Sequence, residues 1–387
     1  MTPAQHTFRW NGQHDDQRSM QTYCYADWEA LLREVQVLNC GRSCVYDGRY
    51  HAGGHHIVRR LKFDDSDELW LVRIPIMPGL LTLDQNDTWW TAERRFTMES
   101  EIATMKYIAK YTAIPVPTIF GYRTSIDENP VRLPYMLMQC IRGNMLYDLG
   151  GPEILNEEQK CRIRESIASI QCQMATASIS KLGSLILKPN GKIDIGPLPS
   201  SFGFEGPFTS EVDYFVSWAT HAKFGNPDFL HTKSEDNSLQ KLKQDVMLFP
   251  AGLRSVVEKR LLSNSSSSEH RYPIVHRDFE LHNILFDDSF NIVGVIDWEF
   301  AHSAPMEVFA VLTNMYSRFD STRLHVVTDS EYIKEVRSKD LAVRQGCKLA
   351  GTFGSIWGDV GMCMVHFEEG IALPFGQLLN RVKGIDG

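Results

Sequence analysis

The sequence predicts an α+β protein with two lobes, an N-terminal lobe of antiparallel sheet plus helix and a larger, mainly α-helical C-terminal lobe. Three observations favour this class: strand-like runs between residues 43 and 77, a polar loop followed by a hairpin between 273 and 300, and helical patterns after 156. With 387 residues and 43% hydrophobic content, the chain can bury a sizeable core.

The most informative stretch is residues 273–300, which read PIVHRDFELHNILFDDSFNIVGVIDWEF. A buried strand is expected to end at PIV, and HRDFELHN to form a loop. Two strand-like runs follow at 283–286 and 292–296, and the turn residues DDSFN separate them. Because a hairpin brings its two ends together, the loop and the residue after the second run are predicted to meet.

Three polar side chains are thereby predicted to converge: Asp278, Asn283 and Asp297. Two carboxylates and an amide oxygen are hard ligands, which suit Mg²⁺ that keeps water and shares phosphate oxygens. A base Asp, an Asn five residues later and a metal-binding Asp beyond a hairpin form a phosphoryl-transfer arrangement. We predict that Asp278 accepts or orients the proton of an acceptor hydroxyl, while Asn283 and Asp297 hold Mg²⁺.

This stretch resembles the aminoglycoside phosphotransferase and choline kinase superfamily, most closely its fungal phosphotransferase branch, from about residue 43 to 305. The fold implied is bilobal and protein-kinase-like, with a catalytic hairpin in the C-terminal lobe and with ATP or GTP and Mg²⁺ as cofactors. Protein kinases themselves are a poorer match, because Ile296-Asp297-Trp298-Glu299 stands in place of Asp-Phe-Gly and no Ala-Pro-Glu follows.

Three further residues belong to the predicted catalytic region. His276 is expected to brace the loop by hydrogen bonds, and Trp298 to be a packed anchor. Glu299 is either a further metal or water ligand or a brace, and the sequence leaves both open.

The N-terminal lobe is predicted to contain three consecutive strands, at Ser43–Tyr50, His56–Phe63 and Leu69–Ile76. Gly53 and Gly54 lie between the first two, where a kinase fold lays backbone over nucleotide phosphates. A glycine pair alone is weak evidence for a nucleotide-binding turn, since any hairpin can contain one. The residues that follow, His55-His56, depart from the small polar residues expected of fungal relatives.

A cation stands in the middle of the third strand. Alternation puts Leu71, Arg73 and Pro75 on one face of that strand, and a charge among apolar residues needs a partner. The resemblance implies that this partner is Glu101, on a long helix at Ala92–Thr112, and that Arg73 also contacts phosphate. The alternative is an edge-strand arginine that reaches solvent.

The run Tyr135–Ile141 resembles the strand that enters the hinge, whose backbone reads adenine. Gln139, Cys140 and Ile141 are therefore candidate nucleotide contacts. We place the N-terminal lobe at residues 1–142 and the C-terminal lobe at 143–387.

The C-terminal lobe is predicted to hold helices at 156–178, 211–223, 306–319 and within 331–368, a short hairpin around 182–198, and a solvent loop at 263–268. In relatives, helices inserted in this region form a wall of the acceptor pocket. Tyr214 and Trp218, on the predicted helix at 211–223, are therefore candidate substrate contacts. An aromatic stripe at helical spacing is more often part of the core than of a pocket.

Two further side chains of the catalytic loop, Arg277 and His282, also have predicted positions. Arg277 is expected to form a local ion pair, with Glu280 as the candidate partner. His282 is expected to point away from the site, because its neighbour Asn283 must face the metal.

Composition excludes several classes of partner. The net charge is −8, and no basic stripe suggests nucleic acid. No apolar run approaches the ~20 residues of a membrane span, and the first residues lack the apolar segment of a secretory signal. Eight scattered cysteines without a CxxC pair indicate reduced thiols and a cytoplasmic protein. A monomer or weak homodimer is expected.

The sequence thus predicts an ATP- or GTP-dependent O-phosphotransferase that acts on the hydroxyl of a small molecule. The alternative is a kinase-fold protein that has lost phosphorylation and binds or transforms a metabolite by other chemistry. Nothing in the sequence identifies the acceptor.

Overall fold

The computed structural model describes residues 16–78, 89–200, 203–261, 271–310, 317–320, 324–328, 330–343 and 355–385. The protein is α+β and bilobal, as predicted, with antiparallel sheets and long helices. The predicted solvent loop at 263–268 lies outside the described residues.

A five-stranded antiparallel sheet forms the N-terminal lobe, with strand order β1-β2-β3-β5-β4. The strands are β1 Cys44–Ala52, β2 His56–Phe63, β3 Leu69–Pro75, β4 Ile119–Arg123 and β5 Tyr135–Gln139. Along β3 the predicted alternation holds. Trp70, Val72 and Ile74 are buried in the lobe's own core, whereas Leu71 and Arg73 lie on the opposite, partly exposed face.

Three helices accompany this sheet: α1 Gln17–Tyr25, α2 Trp28–Leu38 and α3 Ala92–Tyr111. The side chain of Thr91 caps α3 by accepting from the Arg94 backbone N–H, and α3 ends shortly before Pro115. The buried side chains of α3, such as Ile102 and Ile108, join the larger core of the C-terminal lobe. This helix therefore connects the two lobes.

Short strands carry the polar loop of the C-terminal lobe. They are β6 Asn144–Met145, β7 Gly183–Leu187, β8 Ile193–Gly196, β9 Leu198–Ser200, β10 Gly203–Glu205, β11 Ile274–Val275, β12 Ile284–Phe286, β13 Ile292–Val295 and β14 His302–Ser303. The predicted hairpin is β12–β13, and its turn is stabilised by Asp287, whose carboxylate accepts the backbone N–H groups of Ser289 and Asn291. The backbone N–H of Val295 donates to the carbonyl of Pro115 at 2.7 Å, which ties the hairpin to the end of α3.

Helices form the rest of this lobe: α4 Glu157–Thr176, α5 Glu211–His221, α6 Pro227–His231, α7 Asn237–Leu261, α8 Met306–Phe309, α9 Ser330–Val343, α10 Ile356–Glu368 and α11 Phe375–Ile385. Asn156 and Gln159 form a capping box at the start of α4.

The prediction of a helix at 306–319 is wrong. Of the described residues in this range, only those of α8 are helical, and residues 317–320 form β15 (Ser317–Asp320), which pairs with β16 (His325–Thr328). Pairing with β16, the next strand along the chain, decides this structure, and the helical periodicity of a single segment does not report it.

None of the helices in the described part of the chain combines the length and apolar character of a membrane span. The seven cysteines within that part are all free thiols.

Candidate active site

Asp278 and Asn283 lie side by side in the loop between β11 and β12. The Nδ2 amide of Asn283 donates to Oδ2 of Asp278 at 2.9 Å and to its backbone carbonyl at 3.0 Å. His282 Nε2 also lies 2.9 Å from Asp278 Oδ2. Asn283 is buried, whereas the side chain of Asp278 is half exposed. One carboxylate oxygen of Asp278 is thus anchored while the group as a whole remains accessible.

His276 braces this loop from inside. Its ring is buried, and Nε2 lies 2.9 Å from the carbonyl of Ile296, so Nε2 carries the hydrogen. Burial lowers the pKa of His276 to about 4, and the ring is therefore neutral. The ring packs against Trp298, which is fully buried and donates its indole N–H to the carbonyl of Val295. These contacts fix the start of the loop, after β11, to the end of β13.

Three residues here adopt positive φ although they are not glycine: Arg277 at 66°, Asp297 at 63° and Phe300 at 63°. Such conformations are uncommon for side chains with a Cβ, each costs about 1–3 kcal/mol, and they concentrate at functional sites. Two of the three flank Asp278, the candidate base, and Glu299, a candidate metal ligand or brace. The backbone is held in these conformations by its surroundings.

Arg73 is the centre of an ion-pair cluster that joins the lobes. Its Nη1 contacts Glu101, and its Nη2 lies 2.6 Å from Oδ1 of Asp297 and 3.4 Å from Oε2 of Glu299. His56 Nδ1 lies 3.1 Å from the same Nη2. The predicted contact between Arg73 and Glu101 is present, and the edge-strand alternative is wrong because only 12% of the Arg73 side chain is exposed.

The cluster sets one guanidinium, that of Arg73, against three carboxylates. Burial lowers the pKa of Arg73, but the carboxylates of Glu101, Asp297 and Glu299 outweigh it, so the net pKa is raised. Burial raises the pKa of Glu101, and Arg73 opposes that rise. Burial and Arg73 together hold the pKa of His56 well below its ordinary value, so this ring is neutral.

The residues predicted to hold Mg²⁺ offer a suitable donor set. The Nδ2 of Asn283 is engaged by Asp278, which leaves its Oδ1 as a ligand, and Asp297 keeps 41% of its side chain exposed. Among the described residues, no group of three His, Cys, Asp or Glu could hold a metal. A cation bound by Asn283 and Asp297 must therefore take its other oxygens from water or phosphate, as Mg²⁺ commonly does.

The hinge candidates need one correction. The backbone N–H of Gln139 donates to Thr118 at 2.8 Å, and that of Cys140 donates to Leu69 at 3.0 Å. These two N–H groups are used by the sheet, so a nucleobase could meet only their carbonyls or the backbone of Ile141. The sequence had not distinguished these groups.

Gly53 and Gly54 occupy the turn between β1 and β2, and neither has a positive φ. The Gly53 N–H donates to the carbonyl of His56 at 2.8 Å, which closes the turn. The left-handed glycine of this hairpin is Gly48, at φ 80°, beside a register shift in β1. A Cβ at Gly53 would meet nothing closer than 3.7 Å and one at Gly54 nothing within 4 Å, so the structure requires neither a special backbone conformation nor small size at these two positions.

A cavity of about 920 Å³ opens beside this cluster, between α3, α5 and α10. Tyr214 and Trp218 both line it, and so do Arg277, Glu299 and Phe300. Asp278, Asn283 and Asp297 are not on its wall, although Arg277 immediately precedes Asp278. Tyr214 and Trp218 also pack against the core, and their role as substrate contacts stays a prediction.

The sequence model of the phosphotransferase enzyme family matches residues 80–324, well over half of the chain. The chain belongs to this family. It is 26% identical over 191 residues to Altered inheritance of mitochondria protein 9, mitochondrial, from Komagataella phaffii, covering 47% of this chain and 28% of that protein. It is 25% identical over 247 residues to Clavilactone A biosynthesis cluster protein Y from Ampulloclitocybe clavipes, covering 62% and 57%. The chain therefore spans less than two thirds of either relative.

A solved structure confirms the fold of this family member. A Ralstonia eutropha protein assigned as an aminoglycoside phosphotransferase is similar with a TM-score of 0.51 and 13% identity, covering 93% of this chain and 99% of that one. Plasmodium vivax ethanolamine kinase gives a TM-score of 0.47 at 12% identity, covering 96% and 91%. At this identity the likeness concerns the fold alone.

Two predictions about the phosphotransferase loop are wrong. Arg277 pairs with Glu368 on α10 at 2.7 Å, and not with Glu280. His282 does not point away, because its Nε2 contacts Asp278. The partner of Arg277 lies 91 positions away in the chain, so local spacing could not identify it.

The sequence reading also missed the contact of His56 with Arg73, and of Asp297 with the same guanidinium. The unusual pair His55-His56 was the available signal for the first of these. No sequence pattern indicated the contact between Asp297 and Arg73, because β3 and β13 are far apart in the chain.

Proposed function

We propose that this protein transfers the γ-phosphoryl group of ATP or GTP to a hydroxyl of a small molecule, with the assistance of Mg²⁺. One observation carries the proposal: a half-exposed carboxylate, Asp278, is anchored through a single oxygen by the amide of Asn283. A base held in this way can accept a proton without losing its orientation. The small metabolite as acceptor is supported by the A. clavipes relative, which is named for a biosynthesis cluster.

In the proposed reaction the acceptor oxygen attacks the γ-phosphorus, and its proton passes to Asp278. The bond between the γ-phosphorus and the bridging oxygen breaks, and a nucleoside diphosphate leaves. Bound Mg²⁺ would neutralise charge on the phosphate oxygens. Asn283 and Asp297 would hold it, and Arg73 supplies a cation within 2.6 Å of Asp297 for the same phosphates.

The test is a transfer assay with γ-labelled ATP or GTP, Mg²⁺ and a pool of small hydroxyl compounds. Asp278→Asn should lower product formation by about 100-fold or more, which is the contribution of a positioned base, and should leave Mg·ATP affinity nearly unchanged. Asp288→Asn, the same change in the β12–β13 turn, is the matched control and should retain activity. Equal product from wild type and Asp278→Asn would remove this residue from the reaction.

A second candidate is a protein that binds a metabolite without phosphorylating it. The contact between Arg73 and Asp297 favours this candidate, because a guanidinium there competes with a metal for the same carboxylate. The stability of the protein, measured with and without Mg·ATP, distinguishes the two candidate functions. A phosphotransferase should be stabilised by ~2.7 kcal/mol at a concentration 100 times Kd, whereas the alternative should show no stabilisation.

A further inference from the structure

The residue before the candidate base is restrained by a contact with a distant helix. Arg277 has a φ of 66°, which a residue with a Cβ keeps only where its surroundings maintain it. Its Nη2 donates to Oε2 of Glu368 on α10 at 2.7 Å. Asp278 is the next residue in the chain, so the backbone that this guanidinium restrains also carries the candidate base.

Both carboxylate oxygens of Glu368 accept hydrogen bonds from other elements. Oε2 accepts from Arg277, and Oε1 accepts from the indole N–H of Trp218 on α5 at 2.6 Å. Glu368 is the last residue of α10, where a negative charge is unfavourable against the helix dipole. Helix formation therefore does not favour this glutamate, and the two donors from the loop and from α5 compensate for its position.

The backbone of Glu368 has little freedom to move. α10 ends against the segment that follows α5, where the N–H of Gly225 donates to the carbonyl of Phe367 at 3.1 Å. A Cβ on Gly225 would collide with the carbonyl oxygen of Glu368, and one on Gly370 with the backbone nitrogen of Asn226. Two segments packed this closely hold the carboxylate at a fixed distance from the catalytic loop.

The ion pair itself adds little to the stability of the fold. The side chain of Arg277 is 33% exposed and that of Glu368 is 35% exposed, and ion pairs open to water stabilise proteins only weakly. The contact acts instead on the direction in which the loop presents its next residue.

We propose that Glu368 is a positioning residue for Asp278. Glu368 holds the guanidinium of Arg277, Arg277 keeps its positive φ, and the loop thereby directs the carboxylate of Asp278. This inference rests on the proposed function, because it concerns the base of the same reaction. It requires no contact of Glu368 with the reacting groups.

Glu368→Gln tests this role, because it keeps the size of the side chain and removes its charge. The full-length variant is assayed with the γ-labelled nucleotide, Mg²⁺ and the pool of small hydroxyl compounds, and kcat and KM for the nucleotide are compared with wild type. We expect kcat to fall about tenfold and KM to change by less than about twofold, since a small displacement of a reacting group lowers the rate of the chemical step. An unchanged kcat, or a rise in KM alone, overturns the proposal.

Arg277→Met and the double variant show whether the two residues act together. Each single variant should lower kcat about tenfold, and the double variant should lose no more than the larger single loss, because groups that act as one unit are not additive. A loss of about 100-fold in the double variant would mean independent action and would overturn the proposal.

Glu258→Gln is the matched control, because Glu258 pairs with Arg254 on α7 at 2.9 Å. It should keep the wild-type kcat. An equal loss of kcat in this control would show that the effect of Glu368→Gln is not specific, and the proposal would be wrong.

Hydrogen exchange of backbone amides tests the restraint without turnover. The N–H of Asp278 donates to the carbonyl of His276 at 2.8 Å, and the N–H of Glu280 to that of Asp278 at 2.9 Å, so both are protected while the loop is fixed. In Glu368→Gln the peptide covering 276–283 should exchange about fivefold faster, while the exchange of α7 stays unchanged because the fold is intact.

Unchanged exchange of this peptide overturns the proposal, whatever the activity of the wild type. A wild type that forms no product, with faster exchange in Glu368→Gln, would contradict the proposed function and support the restraint of the loop by Glu368. The two failures are therefore distinguishable.

Discussion

Arg73 and Asp297 lie 2.6 Å apart although 224 positions separate them in the chain. One residue belongs to β3 of the N-terminal lobe and the other to the loop that follows the β12–β13 hairpin. The same guanidinium also contacts Glu101 on α3, so a single side chain connects the sheet, the helix and the predicted metal ligand. Each connection can be tested separately.

The first prediction concerns the ion pair between Arg73 and Glu101 in the N-terminal lobe. In a double-mutant cycle of Arg73→Met and Glu101→Gln, measured as Mg·ATP affinity, we expect a coupling of about 1 kcal/mol or more. The reason is that burial makes the unpaired charge costly when either partner is removed. Arg73→Met alone should weaken ATP binding and spare adenosine, because it removes a cation from the phosphates.

The matched control for this cycle is the pair Arg95 and Glu99, which lies 2.8 Å apart on the exposed surface of α3. An exposed i,i+4 pair should couple by at most about 0.5 kcal/mol in stability, and not at all in nucleotide affinity. Additive losses for Arg73 and Glu101, or equal effects on ATP and adenosine, would show that Arg73 does not bind phosphate.

The second prediction concerns the metal ligand. Asp297→Ala should abolish Mg²⁺-dependent nucleotide binding, because the remaining ligand, Asn283, offers only a neutral oxygen. Calorimetry of ATP with and without Mg²⁺ measures this, and Asp288→Ala in the neighbouring turn is the control. Unchanged Mg·ATP affinity in Asp297→Ala would exclude this carboxylate from the metal site.

The third prediction concerns pH and two buried histidines. Burial lowers the pKa of both His276 and His302 to about 4. Between about pH 6.5 and pH 4 the unfolded chain therefore binds protons that the folded chain does not, and stability falls as pH falls through this window. Each histidine contributes up to about 1.4 kcal/mol per pH unit.

Urea unfolding between pH 7.5 and 5.5 measures that slope. His302 donates from Nδ1 to the carbonyl of Phe300 and accepts from the Tyr214 hydroxyl at Nε2, so it is neutral with a fixed tautomer. His302→Asn removes one titrating group and should reduce the slope relative to wild type. Identical slopes would mean that His302 does not titrate in this window.

The fourth prediction concerns the fold of the N-terminal lobe. The guanidinium of Arg59 lies 3.7 Å from the ring centre of Tyr46 and 5.1 Å from that of Trp28, so it joins α2 to the sheet. Arg59→Met should destabilise the protein by about 1–2 kcal/mol through the lost cation–π contacts. Lys62→Met, at an exposed position of the same strand, should change stability by less than about 0.5 kcal/mol. Equal effects in thermal unfolding would contradict the role of the aromatic rings.

The sequence by itself determined the elements whose information is local. Period-two alternation located β3 and the face of Arg73, and turn residues located the β12–β13 hairpin. The loop motif with this hairpin was enough to predict the fold, and the contact between Asn283 and Asp278 follows from their short separation. These features depend on neighbours within a few residues, which is the range that periodicity and spacing report.

Only the tertiary structure decided the contacts that cross between distant elements. Arg277 reaches Glu368 across 91 positions, and Asp297 reaches Arg73 across the two lobes. The positive φ values of Arg277, Asp297 and Phe300 belong to the same class, because they are maintained by packing against residues that no local pattern identifies.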